Sequence, residues 1–130
     1  MSHWTKVKTK IMDLDILKQA IEATGCVFTE QKTFSSTYAG TLNCVGAISA
    51  EGHTVSNSHG AAITHKDKNG YHIVMDNYGN SLKDVAGESC GKITQKYSEL
   101  VTQDAMVNAG YMQENSWVED GGDLLMEFVG

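Results

Sequence analysis

Alternating β-branched and lysine side chains open the chain. Across residues 5–11, one set is Thr5, Val7, Thr9 and Ile11, and the other is Lys6, Lys8 and Lys10. A period of two places the two sets on opposite faces of a β-strand. We therefore expect a strand that packs on its β-branched face and meets water on its lysine face.

A helix is predicted directly after this strand. Asp13 is a good N-cap because its carboxylate can accept a hydrogen bond from a free N–H of the first turn. Gly25 can adopt the left-handed conformation that ends a helix. Between them, apolar residues recur at helical spacing and predict a buried stripe of Leu14, Leu17, Ala20 and Ile21.

The remaining pattern predicts more strands and one more helix. Strands are expected at residues 26–30 and 41–48, and a hairpin at 61–76 with Asn69-Gly70 as its two-residue turn. Residues 31–41, 49–60 and 78–91 show no clear period. A second helix is expected over residues 90–108, followed by a hairpin of residues 111–118 and 124–129 that turns around Asp120-Gly121.

This order predicts an α+β fold, a two-layer sandwich with two helices on one face of a mainly antiparallel sheet. A ferredoxin-like arrangement with extra strands is compatible with it. The 130 residues suit a single domain that spans the whole chain, and no internal repeat or linker divides it.

Composition narrows the function classes. The net charge is −6 and the chain has no arginine, which argues against a nucleic-acid binder. No apolar run is long enough to span a membrane, and no secretory signal is evident. The three cysteines, Cys26, Cys44 and Cys90, are far apart in sequence and lack zinc-site spacing. They indicate reduced thiols in a cytosolic protein.

The lysine face is one candidate site. Trp4 belongs to the same face as Lys6, Lys8 and Lys10, and a tryptophan among lysines can anchor a protein partner. The plainer interpretation is a solvated strand face, with Trp4 packed on lysine stems or covering the sheet edge.

The central hairpin supplies a candidate metal site. With Asn69-Gly70 as the turn, Asp67 faces His72 and His65 lies diagonally on the same face. Two imidazoles and one carboxylate can bind a divalent ion. A one-residue slip would instead move His65 and His72 to opposite faces and remove the site.

Two further histidines lie in the small-residue loop, His53 and His59, near Ser56 and Ser58. A serine next to a histidine can act as a nucleophile. The loop has no Gly-x-Ser-x-Gly elbow, and no third group is assigned to orient either imidazole. An ordinary polar loop is the simpler interpretation.

The opening segment, residues 2–9, with Asp13-Leu14-Asp15 and a leucine-rich helix, resembles the conserved hypothetical chloroplast reading frame thirty-five family of plastids, cyanobacteria and cyanophages. Weaker similarities are Tyr71, Val74, Asp76 and Gly79 at the central hairpin, and Gln95-Lys96-Tyr97 in the second helix. The family has paired tryptophans where this chain has Asn77-Tyr78. It is a domain of unknown function, so the resemblance implies no catalytic residues.

We therefore expect a small cytosolic accessory or interaction protein with a protein partner and no catalytic activity or cofactor. The resemblance implies a cyanobacterial cytosol, during phage infection or otherwise, or a plastid stroma. The alternative is a metal-binding protein or metal-dependent enzyme that uses His65, Asp67 and His72. Homo-oligomerisation through an open sheet edge is a third possibility, and neither nucleic acid nor membrane is an expected partner.

Overall fold

The structure is a computed structural model that describes residues 2–7, 10–37, 40–110, 112–118 and 124–129. Its helices are α1 (Leu14–Ala23), α2 (Leu82–Ala86) and α3 (Gly91–Asn108), with a 3₁₀ turn at Glu88–Cys90. The strands are β1 (Ser2–Val7), β2 (Cys26–Thr29), β3 (Thr33–Ser36), β4 (Gly40–Ala50), β5 (Ala61–Thr64), β6 (Ile73–Val74), β7 (Met112–Val118) and β8 (Leu124–Val129).

Helix α1 forms as its sequence predicts. The Asp13 carboxylate accepts a hydrogen bond from the backbone N–H of Ile16 at 3.1 Å, which caps the first turn. Gly25, two residues beyond the helix, has a φ of +81°. The predicted stripe is buried at Leu17, Ala20 and Ile21.

Helix α3 is tied to the start of α1 through one buried side chain. Tyr97 is 1 % exposed, and its hydroxyl accepts hydrogen bonds from the backbone N–H groups of Met12 (2.9 Å) and Asp13 (3.0 Å). Two N–H groups ahead of α1 therefore find their acceptor in α3. Ile93 of α3 is also buried.

Five strands form an antiparallel sheet in the order β2-β4-β5-β6, with β3 also paired to β4. A register shift between Cys44 and Gly46 marks a β-bulge in β4. The remaining strands form a three-stranded antiparallel sheet in the order β1-β8-β7. The predicted last hairpin is confirmed as β7 and β8, and its Asp120-Gly121 turn lies outside the described residues.

The five-stranded sheet separates two apolar clusters. One face carries Ile48, Ala61 and Ile63, which pack with α1, α2 and α3 in the main core. The other face carries Cys44, Ala47 and Ala62, which pack with Phe34 of β3. Helices thus cover one face of a mainly antiparallel sheet, which confirms the predicted α+β class.

Two short elements lie where the sequence shows no period. Strand β3 falls in the predicted polar loop, and among its four residues only Phe34 is apolar. Helix α2 falls in the mixed segment and buries Leu82 and Ala86. Among the described residues, no helix is both long and apolar enough to cross a bilayer.

Candidate functional site

The predicted lysine face is described only in part. In β1, the backbone of Trp4 pairs with Glu127 and that of Lys6 with Leu125. The side chains of Trp4 and Lys6, and the whole of Lys8, lie outside the described part of the chain. Lys10 is exposed, and its Nζ donates a hydrogen bond to Asn69 Oδ1 at 3.3 Å. Lys10 therefore meets the tip of the central hairpin.

The turn of the central hairpin differs from the prediction. Asp67 and Gly70 exchange backbone hydrogen bonds of 3.2 and 3.0 Å, so the central residues are Lys68 and Asn69, not Asn69 and Gly70. At Gly70 the hairpin backbone passes so close to Ile11 that a Cβ would clash with the Ile11 carbonyl. The next residue, Tyr71, donates its backbone N–H to that same carbonyl at 2.7 Å.

This shift separates His65 from the other two predicted metal ligands, Asp67 and His72. The N–H of Thr64 donates to the carbonyl of His72 at 2.9 Å, which places these two residues opposite each other on one face of the sheet. His65 follows Thr64 and lies towards the other face, where it lines a cavity beside Lys18 and Phe28.

Asp67 and His72 do meet. His72 Nε2 lies 3.2 Å from both carboxylate oxygens of Asp67, and both side chains are about half exposed. The pKa of Asp67 is lowered, first by the backbone N–H of Asn69 and then by His72. Within the described segments, no three histidine, cysteine or acidic side chains form a group that could hold a metal ion. The predicted site is thus reduced to an exposed pair.

A more organised site lies at residues 76–81, which we call the Tyr78 loop. Tyr78 is 90 % exposed, well above the other large exposed apolar side chains among the described residues, Met12, Val27 and Val107, which are 41–54 % exposed. Its backbone N–H donates to Asp76 Oδ1 at 3.0 Å, and Gly79 turns the chain with a φ of +63°. The loop thus presents one aromatic ring to solvent on a backbone fixed by its own side chains.

Asn80 is the centre of this loop. It is 4 % exposed, and the two hydrogens of its Nδ2 group are shared among the carbonyls of Asn57 (3.1 Å), Gly60 (2.9 Å) and Asp76 (2.8 Å). Its Oδ1 accepts from the N–H of Leu82 at 3.0 Å. One buried amide therefore joins the 51–60 loop, the Tyr78 loop and the start of α2.

Strained backbone borders the loop on its other side. Ser89 and Cys90 are consecutive non-glycine residues with φ of +53° and +59°. Asn77 holds this segment, because its Oδ1 accepts from Ser89 N–H at 2.6 Å and its Nδ2 donates to Ser89 Oγ at 3.1 Å. Such conformations persist only where surrounding contacts enforce them, and they cluster at functional sites.

A serine–histidine contact also lies here, but not between the predicted residues. His59 Nδ1 is 2.7 Å from Ser81 Oγ, and the His59 ring stacks on His53 with centroids 4.9 Å apart. Ser56 contacts His59 through its backbone carbonyl, which accepts from His59 N–H at 3.1 Å, and no described hydrogen bond joins the hydroxyl of Ser56 or Ser58 to the imidazole. No described carboxylate is hydrogen-bonded to His59, so the contact joins two loops without the third member of a hydrolytic triad.

The three cysteines are free and buried. Burial raises the pKa of the Cys26 and Cys44 thiols, and burial together with the nearby Cys26 raises the pKa of Cys90 to about 12. Cys90 Sγ lies 3.5 Å from Met75 Sδ. At neutral pH these groups are packed thiols rather than nucleophiles.

Comparison of the chain with family models, with curated proteins and with solved structures finds no significant match to any of them.

Proposed function

We propose that this protein is a small accessory module that binds a protein partner through the Tyr78 loop. The observation that supports the proposal is the exposure of Tyr78, 90 %, on a loop whose backbone is fixed by Asp76, Asn77 and Asn80. Tyrosine is among the residues that dominate interface energies, so an exposed ring on a fixed loop is suited to anchor a partner.

The rigidity of the Tyr78 loop also favours binding. Binding loses less entropy when the loop is already in its bound conformation. Tyrosine adds a large contact area while only two side-chain torsions become ordered. The Asn80 hydrogen bonds and the Asn77–Ser89 pair supply that order before any partner arrives.

The surroundings of Tyr78 indicate the chemistry of the partner. A cavity of about 380 Å³ beside the loop is lined by polar groups that include Asn77, Ser81, Lys83 and Asp84. An apolar ring within a polar border is typical of an anchor and its rim. We expect a partner with an apolar pocket for the ring and hydrogen-bonding groups around it.

The resemblance to the chloroplast reading frame thirty-five family supplies the proposed setting, a cyanobacterial cytosol or a plastid stroma. The family's paired tryptophans would occupy the positions of Asn77 and Tyr78. An aromatic anchor at this loop is thus the property that the two patterns share. The lysine face with Trp4 is proposed as a second contact region for the same partner.

The test is quantitative affinity capture from cyanobacterial lysate with four immobilised forms of the full chain. A partner bound by the wild type and by Tyr78→Trp, lost with Tyr78→Ala and kept with the control Val107→Ala would support the proposal. Val107 is 54 % exposed and lies on α3 away from the loop. Equal capture by Tyr78→Ala and wild type would refute it.

A divalent-metal site is the second candidate, and the contact of Asp67 with His72 is the observation that favours it. With two protein ligands, the ion would complete its coordination with water. Titration with cobalt(II) tests this: a saturable absorption band that His72→Ala abolishes would support the site, and the same band in the variant would exclude it.

A further inference from the structure

A second cavity, of about 360 Å³, lies between α1, the end of β2 and the bulge of β4. Its apolar wall is formed by Leu14, Phe28 and Val45. Lys18, Lys32 and His65 also line it, together with a single acid, Glu30. The size is within the range of small-molecule sites. The combination of apolar wall and basic groups distinguishes it from the polar cavity beside the Tyr78 loop and from a lysine-free cavity between α1 and α3.

The aromatic part of this wall depends on a glycine. The Phe28 ring packs directly over Gly46, where a Cβ would clash with two ring carbons. Lys18 Nζ lies over the same ring, 4.8 Å from its centroid. This cation–π contact holds the ammonium group at the edge of the apolar surface.

The segment that carries Lys32 is also fixed. Cys44 N–H donates to the carbonyl of Lys32 at 2.9 Å, and Cys44 Sγ donates to the carbonyl of Gln31 at 3.4 Å. Gln31 Nε2 donates to the carbonyl of Thr33 at 2.8 Å. Both hydrogen bonds from Cys44 arise at the bulge of β4, a feature that often accompanies binding sites.

The charges of the two lysines are not neutralised within the described chain. The ion pairs there join Asp67 to His72 and Lys96 to Glu99, so neither Lys18 nor Lys32 takes part in one. The whole chain carries a net charge of −6. Two lysines without salt-bridge partners at one cavity are therefore a local exception to an acidic surface, and they favour an anion.

We infer that this cavity binds a small carboxylic acid that carries an aromatic or aliphatic group. The carboxylate accepts hydrogen bonds from Lys18 and Lys32, and the apolar group packs on Phe28, Leu14 and Val45. This site lies on different elements from the Tyr78 loop, so it does not depend on the proposed partner.

The experiment titrates the isotope-labelled full chain with phenylacetate and follows backbone amide NMR signals. Saturable shifts are expected at Phe28, Val45 and His65. A cavity of similar volume between α1 and α3, lined by Leu100, Gln103 and Val107 and lacking a lysine, serves as the internal reference and should not respond.

Two probes and three variants separate the contributions. Acetate lacks the apolar group and phenylacetamide lacks the charge, so each should bind about tenfold or more weakly than phenylacetate. Lys18→Met and Lys32→Met should each weaken phenylacetate about tenfold, while Lys92→Met on α3 should not. Equal affinity for the acid and the amide, shifts at the α1–α3 cavity, or no saturation at millimolar concentration would overturn the inference.

Discussion

Replacing Asn80 by alanine removes four hydrogen bonds at the centre of the Tyr78 loop. The carbonyl of Gly60 and the N–H of Leu82 lose partners in buried bonds. The carbonyls of Asn57 and Asp76 lose partners in part-buried bonds, where water can replace the amide. The effect on stability is therefore dominated by the two buried groups.

A buried polar group without a partner costs about 1–3 kcal/mol. Two such groups, with a smaller contribution from the two carbonyls that water can reach, give a loss of about 2–6 kcal/mol in the free energy of unfolding. For a domain of this size the urea dependence is about 2 kcal/mol per molar, so the unfolding midpoint should fall by roughly 1–3 M.

Urea denaturation followed by circular dichroism measures this change. Asn108→Ala is the matched control, because Asn108 is exposed at the end of α3, and its midpoint should stay within about 0.3 M of the wild type. A loss below about 1 kcal/mol for Asn80→Ala would contradict the role assigned to this amide.

Further predictions concern two glycines, the Tyr97 hydroxyl and the Asp67 carboxylate. Gly46→Ala should lower the free energy of unfolding by about 1–3 kcal/mol because the added Cβ clashes with the Phe28 ring. Gly91→Ala is the matched comparison: Gly91 has a helical φ and open space around it, so this change should raise the free energy of unfolding by about 0.4–1 kcal/mol in the same urea assay. Tyr97→Phe leaves two backbone N–H groups ahead of α1 without an acceptor, so the free energy of unfolding should fall by about 1–2 kcal/mol and the thermal midpoint with it. An unchanged midpoint would refute the role of the Tyr97 hydroxyl. The pKa of Asp67 is depressed, so its carboxylate stabilises the hairpin tip above the ordinary aspartate value of about 3.9, and this is lost as pH falls through the lower folded pKa. NMR titration of the carboxyl carbon should show a midpoint below that value, raised towards it by His72→Ala; a midpoint at or above it would contradict the contacts.

A helix could be predicted from the sequence where its buried residues recur at regular spacing along the chain. Helix α1 could be predicted from Asp13 and the stripe that includes Leu17 and Ile21, because one face of the helix is buried in the main core. Helix α3 follows in the same way, whereas the β7–β8 hairpin follows from the turn signal at Asp120-Gly121. Strand β3 could not be predicted because Phe34 alone is apolar among serine and threonine, and its strand is fixed by pairing with β4.

The candidate site was largely hidden from sequence reasoning because its contacts are long-range. Ser81 meets His59 across 22 positions, and Asn80 reaches Asn57 across 23. An asparagine in a loop has the same appearance in sequence whether it is exposed or holds three segments together. The one sequence signal at this loop was Asn77-Tyr78, where the family that the opening segment resembles has paired tryptophans.

The turn of the central hairpin shows how tertiary contact overrides a local signal. Asn69-Gly70 favours a two-residue turn, but Gly70 is needed where the chain passes against Ile11. The turn therefore moves back by one residue, and His65 separates from Asp67 and His72. Local turn preferences gave the existence of the hairpin but not its register.

The most direct test of the central claim is site-specific photo-crosslinking in cyanobacterial lysate, with a benzophenone amino acid placed at Tyr78 or, as reference, at Val107. Both positions are exposed to solvent, so both forms should fold alike and react with nearby protein. The account predicts one discrete crosslinked partner from position 78 that excess unlabelled protein competes away, and none from position 107. The same products from both positions, or crosslinks that competition does not reduce, would contradict it.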